Sequence, residues 1–205
     1  MVEEDTDRNE REAGEDADGE RGGPLEIRYE RHERVRRLLD TIRFCLEEFS
    51  LASDESAGKP PGMYVAVVSG HSIAAFADPI RNERWPVEQC SEVLGDLDAF
   101  CAAASEVARS RDGAVVVSVD GVIQAQMVRF RDFPRAQAGE ASPYADWMGT
   151  RHMSALDTSR RESVVATVTL SQETGRVTVF EDGSYDSVEP ETFATRWIDT
   201  TGGDQ

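Results

Sequence analysis

The 205-residue chain carries 40 acidic against 22 basic residues, a net charge of −18 and a pI near 4.5. A polyanionic nucleic-acid backbone is excluded as a partner on that balance, although a local basic pocket for one nucleotide is not. No apolar run approaches the ~20 residues that span a bilayer, and the acidic N-terminus is unlike a secretory signal, so a cytoplasmic protein without a membrane partner is expected. Lys59 is the lone lysine, the other basic residues being arginines. Many carboxylates with almost no lysine suit a high-salt cytoplasm, where a hydrated acidic surface maintains solubility and salt screens its self-repulsion. Cys45, Cys90 and Cys101 form no Cys-x-x-Cys pair and read as reduced, largely buried thiols.

Residues 1–24 mix Glu, Asp, Arg and Gly with almost nothing to bury, the composition of a disordered acidic tail. Residues 25–200 are expected to form one domain. From Leu25 to Phe49 apolar residues recur at three- and four-residue steps (Val35, Leu38, Leu39, Ile42, Cys45, Leu46, Phe49), which predicts an amphipathic helix. His32 sits among charges at its start and reads as a surface residue. Gly58-Lys59-Pro60-Pro61-Gly62 ends a stiff loop. Met63 to Ser69 follows as a strand, apolar on both faces and therefore central. His71 lies alone in a loop and is given no role. Asp78-Pro79 and Trp85-Pro86 punctuate an irregular connection. Val87 to Ala108 predicts a second long helix.

Strand-like segments then dominate. Ala114 to Val119, the hairpin signal Asp120-Gly121 and Val122 to Val128 form a pair. Gly149-Thr150-Arg151-His152 opens a short helix to about Arg161. Val164 to Leu170, the turn Ser171-Gln172-Glu173-Thr174-Gly175 and Arg176 to Phe180 form another pair, closed by Glu181-Asp182-Gly183. No second domain is expected after Asp186, where Phe193 to Ile198 reads as a terminal helix or strand. About six strands interspersed with helices predict an α/β domain, a mixed central β-sheet flanked by helices.

Two islands carry chemistry. Glycine then threonine at a helix start leaves amides unpaired, and these, the helix dipole and Arg151 favour a phosphate. The same residues also suit an ordinary threonine N-cap with a surface arginine. In Asp112-Gly113-Ala114 the aspartate reads either as a turn residue or as a carboxylate able to accept a proton or orient a metal. Gly113 would let the backbone approach a ligand closely. His152 would suit a metal if neutral and a phosphate if charged.

The order and spacing of Asp112-Gly113-Ala114, Asp120-Gly121, Gly149-Thr150-Arg151-His152-Met153 and Ser171-Gln172-Glu173-Thr174-Gly175 resemble the diadenylate cyclase domain, found also in DNA-integrity scanning proteins. The resemblance spans about residues 30 to 185, and the composition is that of an archaeal, halophile-like member. It implies a nucleotidyltransferase that condenses two ATP molecules into cyclic di-AMP and two pyrophosphates, with Mn2+ or Mg2+ as cofactor. It also implies a homo-oligomer whose active sites face one another. Carried over by position, Asp112, Arg151 and His152 are catalytic, with Asp112 and His152 as metal ligands. Gly113, Thr150, Arg151, His152, Met153, Ser154, Ser171 and Glu173 occupy the ATP site. Three positions depart from the family pattern. Met153 stands where the family has a second arginine, Gln172 where it has a glutamate, and Arg129-Phe130 near a leucine of the adenine pocket. These departures leave the alternative of a catalytically degenerate module that binds ATP or cyclic di-AMP, or only dimerises. A third reading is a structural module whose acidic tail recruits a partner.

Overall fold

The computed structural model describes residues 32–52, 60–70, 72–132, 144–190 and 192–193. The tail over 1–24, the helix start at Leu25, Lys59, His71 and the segment after Phe193 lie outside them.

Ten elements follow in order: α1 (Glu33–Ala52), β1 (Met63–Val68), β2 (Ala77–Arg84), α2 (Leu97–Ser110), β3 (Val115–Ser118), β4 (Gln126–Phe130), α3 (Thr150–Ser159), β5 (Val164–Leu170), β6 (Val177–Glu181) and β7 (Ser184–Val188). The main sheet runs β3-β1-β5-β6-β7, and β2 and β4 form a separate two-stranded ribbon. β1 and β3 are parallel, whereas β5, β6 and β7 pair antiparallel in succession. The mixed sheet and flanking helices match the predicted class.

β1 is buried along its whole length because both faces of the sheet are covered. Met63, Val65 and Val67 point into one cluster with Leu38, Ile42 and Leu46 of α1 and Phe100, Ala104 and Val107 of α2. Tyr64, Ala66 and Val68 point the other way, to Ala155 and Leu156 of α3 and Val128 and Phe130 of β4. Each fully buried Leu or Ile contributes about 1.5–3 kcal/mol relative to exposure, so α1 is held chiefly by its apolar stripe. It is also tied through charge. Arg43 bonds the buried Glu47 at 2.8 Å and reaches Asp186 of β7 at 2.9 Å.

Three predicted elements changed shape. The second helix begins at Leu97 rather than Val87, because the Asp96 side chain accepts the Ala99 amide at 3.0 Å and starts the helix afresh after Gly95. Before it the chain turns, with Trp85 Nε1 donating to the Cys90 carbonyl at 2.6 Å. Cys90 and Val93 are buried all the same, so the apolar spacing was that of a packed turn. The irregular connection contains β2, a polar strand with Pro79 inside it, which pairs antiparallel with β4 at one side of the fold. Glu181-Asp182-Gly183 does not close the sheet. Asp182 and Gly183 both have positive φ (46° and 73°) and turn the chain into β7.

The Asp120-Gly121 turn is present: Gly121 has φ 92°, and its amide donates to the Ser118 carbonyl at 2.8 Å. The return segment, however, makes only the isolated bridges Val117–Ile123 and Ala114–Val128 to β3 and its start, and β4, which contains Val128, pairs with β2 instead.

Candidate active site

Strand directions gather the site. Because β1 and β3 are parallel, the residues just before them, Gly62 and Asp112, fall at the same end of the sheet. β5 is antiparallel to β1 with Leu170 opposite Met63, so Ser171 and Gln172 emerge there too. The first turn of α3 brings Arg151 to the same end. Asp112, Arg151, Gln172 and Gly62 line one cleft of about 60 Å³ with Arg109, Ser110 and Arg111. Liquid water occupies about 30 Å³ per molecule, so the enclosed part of the cleft is the scale of one phosphate group, and the rest of a nucleotide would lie outside it.

Gly62 is a member that sequence reading missed. A Cβ built on it would lie 2.4 Å from Arg151 Nη1, so any other residue here would push the guanidinium off the backbone it lies across. Its one sequence signal was its place beside Pro60-Pro61, and Gln172 Nε2 donates to the Pro60 carbonyl at 2.8 Å. Arg109 and Arg111 were missed as well, since arginines at a helix end carry no motif.

Asp112 is exposed, and its backbone amide lies 3.4 Å from Glu83 Oε2. Its carboxylate has no ion pair among the described residues and is available to a ligand. Gly113 has φ 102°, and a Cβ there would meet Ile80 Cδ1 at 2.4 Å and the Val128 carbonyl at 3.0 Å. Its first use is therefore internal, letting β3 cross closely under the β2–β4 ribbon.

The N-cap of α3 is Gly149, not Thr150, and no side chain caps the helix. Thr150 is exposed in the first turn, and the space around Gly149 is open, so the first amides and the positive helix end face outward.

His152 lies elsewhere. It is buried, edge-on to Trp147 at 5.1 Å and 6.4 Å from Phe180 between centroids, and it does not line the cleft. Burial, then the charges of Arg151 and Arg176, push its pKa down to about 4, so the ring is neutral at pH 7. Among the described residues Nε2 has no hydrogen-bond partner. A depressed folded pKa means that the neutral ring's stabilisation is complete above the unfolded value near 6.5 and is lost as pH falls from there toward 4. Between pH 7 and 4.5, wild type should lose about 2 kcal/mol more stability than His152→Gln in urea titrations. Equal losses would remove the histidine from acid unfolding.

Met153 is half-buried against the cluster under α3. The Ser154 carbonyl accepts from Tyr64 Oη at 3.4 Å. Ser171 is buried and builds its own turn, its Oγ accepting the Thr174 amide at 3.3 Å, while Glu173 is exposed. Arg129 is exposed on β4, and Phe130 packs against Tyr64 and Phe76 at 5.6 and 6.0 Å.

Among the described residues no three His, Cys, Asp or Glu side chains gather as a metal cage. Asp112 offers one exposed oxygen ligand. That donor set fits an ion held by one carboxylate and by substrate phosphates, the usual manner of Mg2+.

A second cavity, about 300 Å³, lies between the sheet and the β2–β4 ribbon, lined by Val68, Ile73, Val116 and Val128 with Ser72 and Gln124 as polar groups. Size favours it as a ligand site, yet among the described residues its lining holds no ionisable side chain. Chemistry favours the smaller cleft.

The fold and site define an α/β domain with a charged cleft at one end of a mixed sheet. Residues 103–185 match the model of the DAC family, described as DisA bacterial checkpoint controller nucleotide-binding. Over those residues the chain is similar to the nucleotide-binding module of that family. No curated protein matches it. Among solved structures, a hypothetical membrane spanning protein from Bacillus cereus is similar in fold, at 16% identity and a TM-score of 0.52, over 74% of this chain and 63% of that one. This chain thus spans less than two thirds of that relative. A mutant of DacA from Staphylococcus aureus superposes at 15% identity and a TM-score of 0.47, over 84% of this chain and 100% of that one. Among the described residues no helix is long and apolar enough to cross a membrane.

Proposed function

We propose that the chain is a cytoplasmic diadenylate cyclase that condenses two ATP molecules into cyclic di-AMP and two pyrophosphates. The observation that carries this reading is the meeting of an unpaired carboxylate, Asp112, with the Arg151 guanidinium in one cleft beside the open N-terminus of α3. Asp112 accepts the proton of the ribose 3′-hydroxyl as it attacks the α-phosphate, and Arg151 with the first amides of α3 binds phosphate oxygens. Thr150 lies at that helix start and Gly113 beside the carboxylate, and Ser154 and Glu173 are retained as outer candidates for the ATP site.

One cleft binds one nucleotide, and the product joins two. Two copies of the chain therefore meet with their clefts facing, each presenting its nucleotide to the other's 3′-hydroxyl. Mn2+ or Mg2+ would be held by Asp112 and the substrate phosphates, where it neutralises phosphate charge. His152, neutral and buried, is retained as a metal ligand only if substrate binding opens the ring's surroundings.

The test is incubation of purified protein with ATP and Mn2+ in high KCl, with mass detection of products. Cyclic di-AMP with pyrophosphate supports the cyclase. ATP recovered intact from folded, self-associated protein supports the second reading, a nucleotide-binding or dimerisation module. Two observations favour that second reading. Met153 packs half-buried against the core where a cation would serve phosphate, and Gln172 is engaged by the Pro60 carbonyl.

Arg151→Ala should weaken ATP binding about tenfold or more by calorimetry, the scale of a lost charge-assisted contact. Unchanged affinity would return Arg151 to the surface.

A further inference from the structure

We propose that Arg109 and Arg111 hold the phosphate tail of the bound nucleotide, supplying the cationic donors that Met153 does not. This rests on the ATP-site reading above. The cleft brings the arginines at 109, 111 and 151 together against one lining carboxylate, Asp112. Glu106 beside Arg111 and Glu83 beside the Asp112 amide offset part of that charge, so on a chain of net charge −18 the cleft is a local gathering of arginines rather than a basic patch. An acidic surface gives no general reason for it, and a polyanionic ligand does.

Two of the three guanidinium groups are uncommitted. Arg109 and Arg151 form no ion pair among the described residues. Among the described residues Arg111 is tied only to Glu106, at 3.9 Å and with both side chains exposed, so exchanging that partner for a phosphate costs little. A guanidinium fork matches phosphate oxygens in bidentate fashion, and two adjacent forks suit a chain of phosphates better than a single charge.

One objection is geometric. The cleft lies at the C-terminal end of α2, where free carbonyls would repel an anion. Two of those carbonyls are occupied. The Val107 carbonyl accepts the Arg111 amide and the Ala108 carbonyl accepts the Gly62 amide, each at 2.9 Å. A purely structural alternative has Arg109 merely countering the helix dipole.

The experiment is calorimetric titration of ATP, ADP and AMP with Mn2+ into wild type, an Arg109→Gln/Arg111→Gln double variant, the matching Arg109→Lys/Arg111→Lys variant, and Arg151→Ala. The Gln pair is expected to bind ATP about 10- to 100-fold more weakly, ADP less so, and AMP within about twofold. The Lys pair should recover most of the ATP affinity. ATP affinity unchanged in the Gln pair, with Arg151→Ala weakened, overturns this inference and leaves the ATP site standing. Equal losses for all three nucleotides, or a Gln pair that fails to fold alongside a folded Lys pair with no ATP preference over AMP, also overturn it. Wild type that binds no ATP overturns both.

Discussion

Asp112→Asn is expected to lower dinucleotide formation by about 10³-fold or more while leaving the fold intact, since a positioned general base contributes about 10²–10⁴-fold and the same carboxylate serves the metal. Asparagine has nearly the same shape and keeps an acceptor, but it cannot take a proton at neutral pH. Asp112 is exposed and its carboxylate bonds no described neighbour, so the melting temperature should stay within about a degree, as for an ordinary surface change. ATP affinity should fall far less than turnover. Product mass spectrometry and a melting curve on the same sample check both parts. Persistent turnover in a folded variant would remove Asp112 from the chemistry.

Gly113→Val should have the largest effect on stability, about 3 kcal/mol or more, or roughly 6–12 °C in melting temperature for a domain of this size. Two costs combine. A branched residue would be held at φ 102°, outside the range that L side chains adopt. Its Cβ would also meet Ile80 Cδ1 at 2.4 Å and the Val128 carbonyl at 3.0 Å. Ile80 has a flexible end, whereas Val128 exchanges both backbone hydrogen bonds with Ala114 and cannot retreat without breaking them. Thermal unfolding followed by circular dichroism decides it. A melting point within 2 °C of wild type would mean that the β2–β4 ribbon is not held by this crossing.

The helical stripe of α1 was legible because one element buries one face. The strands β1 and β5 were legible because apolar β-branched residues bounded by turn residues have few other uses. The start of α2 was not, because Cys90 and Val93 are apolar for a turn that packs as a helix would. β2 was hidden by its polar composition and Pro79, both normal at a sheet margin. The Asp182-Gly183 hairpin was there to be read in the dipeptide, but short Tyr185-containing β7 has little apolar alternation to confirm it.

Sequence by itself determined the α/β class, the two charged islands and the family they resemble, because turn chemistry and motif order are local properties of the chain. Only the tertiary structure decided which of those residues meet. Parallel pairing of β1 with β3 and antiparallel pairing of β1 with β5 carried Gly62, Asp112 and Gln172 to one end, and the entry of α3 laid Arg151 across them. The same packing turned His152 inward among aromatic rings and made it neutral. A residue's neighbours in sequence do not specify the strand that will lie beside it, so proximity and desolvation, which set the chemistry of a site, appear only after the sheet has closed on its helices.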